Sequence, residues 1–364
     1  MSQQGSDISL GKGQGQSKGR EIWDRMRTSP LRWPLLVLFA LLVFNLVFNP
    51  HFFQIEIKDG HLYGSLIDIL NRAAPVLLMA MGMTLVIATG GIDISVGSVM
   101  AVAGSIAGVL LTQFHLPLPA VILIPLLVAG LLGAWNGFMV AVVGIQPIVV
   151  TLILFVAGRG IAELITDGQI VVFENRAFEY IGNGFLFGLP FTIAIVASVF
   201  LGLSWLTRGG ALGMFIEAVG GNARSSYYAG IKAGAVKVFV YTCSAVCAGG
   251  AGLISAATIK AADPHSSGLG LELNAILSVV IGGTSMNGGK FSLAGTVVGA
   301  LILQGLLTTI LTQGVPVQAN LVIEASVVLF VCLIQSPRFR QQMQTLIFRW
   351  TRSQPSLAQP TGDA

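Results

Sequence analysis

The sequence predicts an all-α polytopic membrane protein with about ten transmembrane helices, some of them broken or re-entrant. Three observations support this fold class. Only 20 basic and 16 acidic residues occur among 364, apolar residues make up 54% of the chain, and long apolar runs fill the intervals between charges. A water-soluble chain of this length needs many more charged residues to cover its surface. Lipid is therefore the expected solvent for most of this chain.

The apolar runs are candidates for spans, because about 20 apolar residues at 1.5 Å per residue cross a hydrocarbon core of about 30 Å. Several runs are long enough, whereas 272–284 is short and can be re-entrant, so about eight to eleven spans fit the pattern. In chain order the runs lie near residues 35–48, 70–88, 97–112, 119–143, 147–166, 189–206, 236–256, 272–284, 293–313 and 317–335. They define a membrane domain over 33–336, preceded by a leader at 1–32 and followed by a tail at 337–364.

The basic residues predict the orientation, because short loops rich in Lys and Arg stay in the cytoplasm. If the N-terminus is inside, most of the 20 basic residues fall on the cytoplasmic side, and only Lys58, Arg176 and Lys260 fall in expected outer loops. Both termini are therefore expected in the cytoplasm. Residues 1–20 are rich in Gly, Gln and Ser and are expected to be disordered. No cleavage pattern follows them, so the first run is expected to be a retained anchor.

Several function classes are disfavoured. The basic residues are spread over short juxtamembrane loops, so nucleic-acid binding is not expected. The chain has no G-x-S-x-G or H-E-x-x-H motif, so no catalytic set is visible. The glycine-rich stretch that ends at Lys290 lacks the first glycine and the Ser or Thr of a phosphate-binding loop. Cys243, Cys247 and Cys332 lie in expected spans without a second ligand pair, so core packing is expected and no metal or cofactor site is predicted.

Glycine is abundant, with 45 residues, and often recurs at four-residue spacing inside the apolar runs. Such spacing lets helix backbones approach closely, either for plain packing or as seams that slide during transport. Two glycine-rich interruptions, 90–97 and 282–290, each follow an apolar run and precede one rich in small residues. They are either tight interfacial turns or breaks in helices that expose backbone groups to a cavity, and they can form a loose internal repeat.

Asp93, Arg159 and Glu163 are the charged residues expected nearest to bilayer depth. Arg159 and Glu163 share a helix face at four-residue spacing and can neutralise each other, which favours a structural ion pair over a substrate contact. Glu324 in the last run has no partner nearby in sequence and stays unexplained.

The longest expected cytoplasmic connection covers residues 207–237. Asn222 suits an N-cap and Gly230 suits a C-terminal stop, so residues 223–229 predict a short helix of roughly 10 Å parallel to the membrane. On the residues alone, this helix is either an interfacial helix or a functional element.

Three ordered motifs, at 84–97, at 217–222 with 229–231, and at 281–290, resemble those of permeases of ribose-type sugar-importing ABC transporters. The resemblance covers roughly residues 65–335. Within that family, residues 59–75 resemble permeases for galactofuranose. The resemblance implies a permease of the bacterial inner membrane that moves a monosaccharide by alternating access. It also implies three partners: a periplasmic sugar-binding protein, a second permease chain that is homologous or identical, and a cytoplasmic ATPase that hydrolyses ATP.

The same resemblance implies that the 223–229 helix couples the chain to the ATPase, although the sequence that begins at Glu217 matches the coupling motif of other importers only loosely. The residues expected to contribute to coupling are Glu217, Gly220, Asn222, Arg224, Tyr227, Tyr228 and Gly230.

A sugar path needs polar groups along apolar walls. The candidates for this path are Asn71, Thr84, Asp93, Ser95, Asn136, Thr151, Arg159, Glu163, Asn274, Ser278 and Thr284. The rival hypothesis is a self-contained secondary carrier, in which Asp93 or Glu163 would bind a proton that is coupled to the sugar. A carrier of that kind needs no docking helix. A third alternative is a membrane scaffold without transport.

Overall fold

The computed structural model describes residues 31–54, 56–58 and 60–314, together with residues 322, 323, 325, 326, 329 and 333. In this part of the chain the fold is almost entirely helical, with three short antiparallel ladders. The all-α fold class is therefore confirmed. The leader, the tail, Cys332, Glu324 and most of the run predicted at 317–335 lie outside the described residues.

The helices follow the predicted runs closely as far as residue 312. In chain order they are α1 (Arg32–Phe48), α2 (Ser65–Ala88), α3 (Val96–Thr112), α4 (Leu118–Phe138), α5 (Pro147–Ile165), α6 (Arg176–Asn183), α7 (Phe191–Arg208), α8 (Leu212–Gly221), α9 (Ala223–Tyr228), α10 (Ala233–Ile259), α11 (Leu271–Ile281) and α12 (Leu293–Thr312). A 3₁₀ turn at Pro50–Phe53 follows α1, and a π turn at Met139–Val143 extends α4.

The three ladders lie between helices. They pair β1 (Glu56–Lys58) with β2 (His61–Tyr63), β3 (Val171–Val172) with β6 (Ala261–Ala262), and β4 (Phe185–Leu186) with β5 (Leu189–Pro190). The β3–β6 ladder joins the segments that follow α5 and α10, so it ties two distant parts of the chain together.

Six of the described helices are long and apolar enough to cross a bilayer, namely α2, α4 with its π turn, α5, α7, α10 and α12. Four more apolar helices, α1, α3, α8 and α11, have only 10 to 17 residues. Helices α8 and α11 cannot cross the bilayer alone. A helix of about 11 residues is about 16 Å long, which is roughly half of a hydrocarbon core. The predicted count of about ten spans is therefore not confirmed. The coarser prediction of a polytopic helical protein with short or broken helices agrees with the structure.

Helices α2 and α10 form the centre of the fold, and glycine allows their close approach. A β-carbon at Gly82 of α2 would lie 2.7 Å from the Cα of Ser244 in α10. Where α4 crosses α10, a β-carbon at Gly133 of α4 would lie 2.5 Å from the carbonyl oxygen of Tyr241, and one at Gly137 would lie 2.6 Å from the Cα of Val238. No side chain fits at these crossings, so Gly133 and Gly137, four residues apart in α4, serve the close helix packing that this glycine spacing predicts.

Candidate functional site

The three sequence motifs meet at one place, which we call the glycine junction and define by Ala88, Gly90, Gly220, Gly288 and Gly289. The amide of Gly289 donates a hydrogen bond to the carbonyl of Ala88 at 2.9 Å. A β-carbon at Gly220 would overlap that same carbonyl oxygen and lie 2.5 Å from the amide nitrogen of Gly289. One at Gly288 would lie 2.8 Å from the carbonyl oxygen of Gly220 and 2.9 Å from the nitrogen of Gly90. Backbone therefore packs directly on backbone at the junction.

Helix α8, which carries Gly220, was not predicted within the 207–237 loop. The short helix after it was predicted, and the structure confirms it as α9. The Asn222 side chain caps α9 by accepting a hydrogen bond from the amide of Ser225 at 2.9 Å. After the helix, Gly230 adopts φ +83°, and its amide donates to the carbonyl of Tyr227 at 3.0 Å. Glycine takes this left-handed conformation without strain, so it stops the helix where the sequence predicts.

Helix α9 presents two aromatic side chains to its surroundings. Tyr227 and Tyr228 are 70% and 76% exposed, and their ring centroids are 6.0 Å apart. Arg224 on the same helix is also exposed. Exposed aromatic and arginine side chains are typical of binding surfaces rather than of a surface that faces only water. The arrangement suits a docking element.

Next to α9, the predicted coupling residue Glu217 lines a cavity of about 310 Å³ together with Arg208 and Phe291. The cavity opens where the end of α7, the start of α8 and the segment before α12 meet. Helix α8 therefore touches the glycine junction through Gly220 and this cavity through Glu217.

Four of the predicted path residues come together at the break between α2 and α3. Asp93 is fully buried, and its Oδ1 accepts hydrogen bonds from the amide and the hydroxyl of Ser95, at 3.0 and 2.5 Å. The Ser95 hydroxyl oxygen in turn accepts from the side-chain amide of Asn136 at 2.9 Å. The Thr151 hydroxyl lies 3.4 Å from the carbonyl of Ile92, although it is closer, at 3.0 Å, to the carbonyl of Pro147 in its own helix. We call Asp93, Ser95 and Asn136 the Asp93 cluster, and it forms because a short polar side chain satisfies the backbone of a turn.

Two residues of α10 that sequence reasoning missed lie beside this cluster. Tyr241 is fully buried, and its hydroxyl packs against Gly91. A β-carbon added at Gly91 would lie only 2.5 Å from that hydroxyl. In the described part of the chain, the Tyr241 hydroxyl, the Ser244 hydroxyl and the Asp93 Oδ2 are buried without a hydrogen-bond partner. The signal available in the sequence was a polar side chain within an apolar run.

Of the other path candidates, Thr84 and Asn71 join two helices, whereas Ser278 and Thr284 bond locally. The hydroxyls of Thr84 and Thr296 are 2.7 Å apart. Asn71 accepts a hydrogen bond from the hydroxyl of Thr192 at 2.5 Å. The hydroxyl of Ser278 donates to the carbonyl of Asn274 at 2.6 Å. Thr284 is buried as well and accepts from the amide of Ser292 at 3.3 Å. Most of the path candidates are thus buried and form hydrogen bonds within this chain.

The pairing expected between Arg159 and Glu163 is corrected by the structure. Among the described residues these two side chains form no direct ion pair, although their charges attract each other through space. The Nη1 of Arg159 instead donates to backbone carbonyls of the segment between α10 and α11, closest to Ser267 at 2.6 Å. Glu163 pairs with His265 of the same segment, at 3.2 Å between Oε1 and Nδ1. Both residues therefore hold that segment in place.

Glu272 is an acidic residue that sequence reasoning missed. It lies in the first turn of α11 and is only 5% exposed. Its Oε1 accepts a hydrogen bond from the amide of Gly270 at 3.1 Å, and a β-carbon at Gly97 would overlap its Oε2. The signal was available, because residue 272 opens an apolar run and an acidic group there is expensive to bury.

Residues 65–334 match the family described as branched-chain amino acid transport system / permease component. The chain belongs to this permease family. It is 52% identical to the galactofuranose transporter permease protein of Escherichia coli (strain K12) over 316 residues, which cover 85% of this chain and 92% of that protein. A fructose import permease protein of Bifidobacterium longum is 41% identical, with 88% and 92% covered. A ribose import permease protein of Escherichia coli (strain K12) is 34% identical, with 84% and 93% covered.

No solved structure matches this permease. The family match confirms the resemblance inferred from the three motifs, and its residues coincide closely with the predicted range of 65–335. The permease is a membrane component of a transport system, and none of the relatives named above supports a self-contained secondary carrier. The family description names amino acids whereas these relatives are named for sugars, so the family alone does not determine the substrate.

Proposed function

We propose that this permease is the membrane subunit of an ATP-driven importer and that its substrate is galactofuranose. The observation that carries the proposal is the 52% identity, over 92% of its length, to a permease named for galactofuranose. The relatives named for fructose and ribose are 41% and 34% identical. All three names support a monosaccharide, and one of them supports the furanose form of galactose.

The geometry supports a division of labour between this chain and an ATPase. In the proposal, α9 docks on a cytoplasmic ATPase through Tyr227, Tyr228 and Arg224, and Gly230 sets the end of the docking helix. Movement of α9 would be passed to α8 and, through Gly220, to the breaks that follow α2 and α11. A carrier that works alone would have no use for an exposed docking helix that is joined to its core in this way.

Topology and assembly are part of the same proposal. We place the chain in the bacterial inner membrane with both termini in the cytoplasm, and we count about ten spans. The six long helices supply complete spans, and the shorter helices α1, α3 and α11 supply shortened or broken ones. A periplasmic sugar-binding protein would deliver the substrate, and a second permease chain, identical or homologous, would complete the path.

The path itself is proposed to bind sugar weakly. Asn71, Arg159, Glu163 and Asn274 are the path candidates that are partly exposed in the described chain. Such a sparse set suits transient contacts with hydroxyl groups, because a path that bound tightly would release its cargo slowly. Substrate preference would then be determined by the binding protein.

Uptake measurements test this proposal. A strain that lacks this chain should lose uptake of labelled galactofuranose and keep uptake of labelled ribose and arabinose, and a plasmid copy should restore it. Uptake should survive an ionophore that dissipates the proton gradient and should stop when ATP is depleted. Loss of ribose uptake alone would exclude galactofuranose while leaving an importer, and sensitivity to the ionophore alone would exclude ATP coupling.

A further inference from the structure

Two cavities lie between α7 and α12, at neighbouring positions along both helices. The first, which we call the apolar cavity, has about 350 Å³, and the described residues that line it are all apolar and come from α2, α7 and α12. The second, the polar cavity, is the one of about 310 Å³ that Arg208 and Glu217 line. Volumes of this size fall within the range of small-molecule sites in proteins. We call the two cavities together the α7–α12 seam.

The two cavities follow one face of each helix. On α7, Ile193 and Phe200 line the apolar cavity, and Thr207 lines the polar one. These three residues are spaced by seven, so they share a helix face, and each step along the axis is about 10 Å. On α12, the adjacent residues Leu293 and Ala294 line the polar and the apolar cavity. The seam is therefore apolar along the helices and polar at the end where α7 stops and α12 begins.

The apolar cavity can be reached from the bilayer. Helices α7 and α12 are both long and apolar enough to span it. In the cavity wall Ala197 is exposed, and Phe200, Val298 and Leu301 are only half-buried. An apolar cavity holds water poorly, and its walls gain contacts when hydrocarbon fills it. Lipid acyl chains are the hydrocarbon that surrounds a membrane helix, so an acyl chain is the occupant that fits this part of the seam.

The polar cavity offers two opposite charges that are free to bind a ligand. Arg208 is exposed and Glu217 is half-buried, and neither forms a hydrogen bond or an ion pair with another residue that the structure describes. A guanidinium can donate two hydrogen bonds to one phosphate group, and a carboxylate accepts from an ammonium group. A headgroup that carries both a phosphate and a primary amine therefore satisfies both side chains. A glycerol headgroup brings no cation for Glu217, and the quaternary ammonium of choline has no N–H to donate.

We propose that the α7–α12 seam binds a bilayer phospholipid with a primary-amine headgroup. Its acyl chain lies in the apolar cavity, its phosphate binds Arg208 and its ammonium group binds Glu217. The inference goes beyond the proposed function, because it requires only that the chain spans a membrane. Glu217 lies three residues before Gly220, and Phe291 of the polar cavity lies two residues after Gly289. The headgroup therefore joins α7, α8 and α12 beside the glycine junction.

Native mass spectrometry of the full-length chain, purified with the subunits that accompany it, tests the inference. The sample is offered equal amounts of phospholipids with identical acyl chains and ethanolamine, glycerol or choline headgroups, and is then washed in detergent until only the most strongly held lipid remains. In the native chain, retention of the ethanolamine lipid should exceed that of each of the others by about tenfold, the effect of one hydrogen bond to a charged group.

The variants separate the parts of the site. Glu217→Gln should bring retention of the ethanolamine and glycerol lipids to within about twofold of each other, and Arg208→Gln should lower retention of all the lipids by about tenfold. Ala197→Phe fills the apolar cavity and should abolish retention of every lipid at the seam. The matched control is Glu174→Gln, which alters an exposed carboxylate outside the seam and should keep both the amount and the preference.

Because the lipids compete within one sample, the ratio between them does not depend on how much of each variant folds. If the native chain shows no preference, or if Glu217→Gln keeps the preference of the native chain, the headgroup contacts are wrong. If Ala197→Phe retains as much lipid as the native chain, the acyl chain does not lie in the apolar cavity. A native chain that retains no lipid would overturn the site, and dissociation of its complex in Ala197→Phe would then identify the seam as an interface with another chain.

Discussion

Replacing Gly220 with alanine tests whether the glycine junction connects α8 to the membrane core. The added β-carbon would overlap the carbonyl oxygen of Ala88 and lie 2.5 Å from the amide nitrogen of Gly289. Real β-carbons essentially never come within 3.0 Å of another group, so the backbone must move away from both atoms, and further from the oxygen than from the nitrogen. No rotamer change relieves the clash, because both atoms belong to the backbone. Overpacking of this kind costs about 1–3 kcal/mol.

If that cost falls on the docked position of α8, the ratio of docked to displaced α8 falls by about 5- to 150-fold. We therefore expect Gly220→Ala to insert normally and to lose at least about fivefold of the sugar-stimulated ATPase activity in the reconstituted importer. The matched control is Gly221→Ala, one residue later in the same helix, where a β-carbon meets nothing within 4 Å. That variant should be neutral or more stable by up to about 1 kcal/mol, because alanine favours a helix over glycine. Equal activity of the two variants would refute the reasoning.

Three further predictions concern the end of α9 at Gly230, the orientation in the membrane, and the ion pair between Lys260 and Glu179. Gly230 has φ +83° and free space around it. Gly230→Val should therefore cost about 1–2 kcal/mol through conformation alone and abolish ATP-driven uptake. Gly230→Asn should retain uptake, and unchanged ATPase stimulation in the valine variant would count against this loop. In a cysteine-free background, an impermeant thiol reagent should label a cysteine at His265 but not one at Arg224 in intact cells; labelling at Arg224 would reverse the orientation. The hydrogen bond from Lys260 lowers the pKa of Glu179, and the two groups are 2.8 Å apart. Their pairing contributes stability above the ordinary glutamate pKa of 4.5 and loses it as the pH falls through the lowered pKa. The melting temperatures of the native chain and Glu179→Gln should thus differ near neutral pH and converge in strong acid. A difference that persists in acid would exclude this pairing as its source.

The sequence predicted the helices well because apolar runs and their interruptions are local features. Each predicted run as far as 293–313 coincides with an observed helix, and the N-cap at Asn222 and the stop at Gly230 were readable from residue type. Helix α8 was missed because a short apolar stretch inside a basic loop does not resemble a span. Its meeting with Ala88 and Gly289 was also unpredictable, since the packing of distant segments decides which glycines touch.

The side-chain partners were the least predictable part. Spacing along one helix predicted that Arg159 would pair with Glu163, but a guanidinium has five N–H donors and a backbone segment nearby has carbonyls that need partners. The carbonyl of Ser267 therefore accepts a hydrogen bond from the Nη1 of Arg159, and Glu163 pairs with His265. Neither of these partners could be predicted from the sequence. Both lie in a segment far along the chain, and the helices around that segment determine its path.

If α9 docks on an ATPase as proposed, the glycine junction supplies a route from that helix to the buried Asp93 cluster. A contact between two side chains can slacken by a change of rotamer, but Gly220 meets Ala88 and Gly289 through backbone atoms, so α8 cannot tilt without displacing both chain segments. Gly91, three residues after Ala88, packs on the Tyr241 hydroxyl, and Asp93 follows two residues later. Any displacement of Ala88 therefore reaches a fully buried carboxylate after a short stretch of chain. A shift there moves the Oδ1 of Asp93 relative to its two donors on Ser95, and a hydrogen bond lost by a buried carboxyl group is costly, so movement of α8 changes the energy of the break.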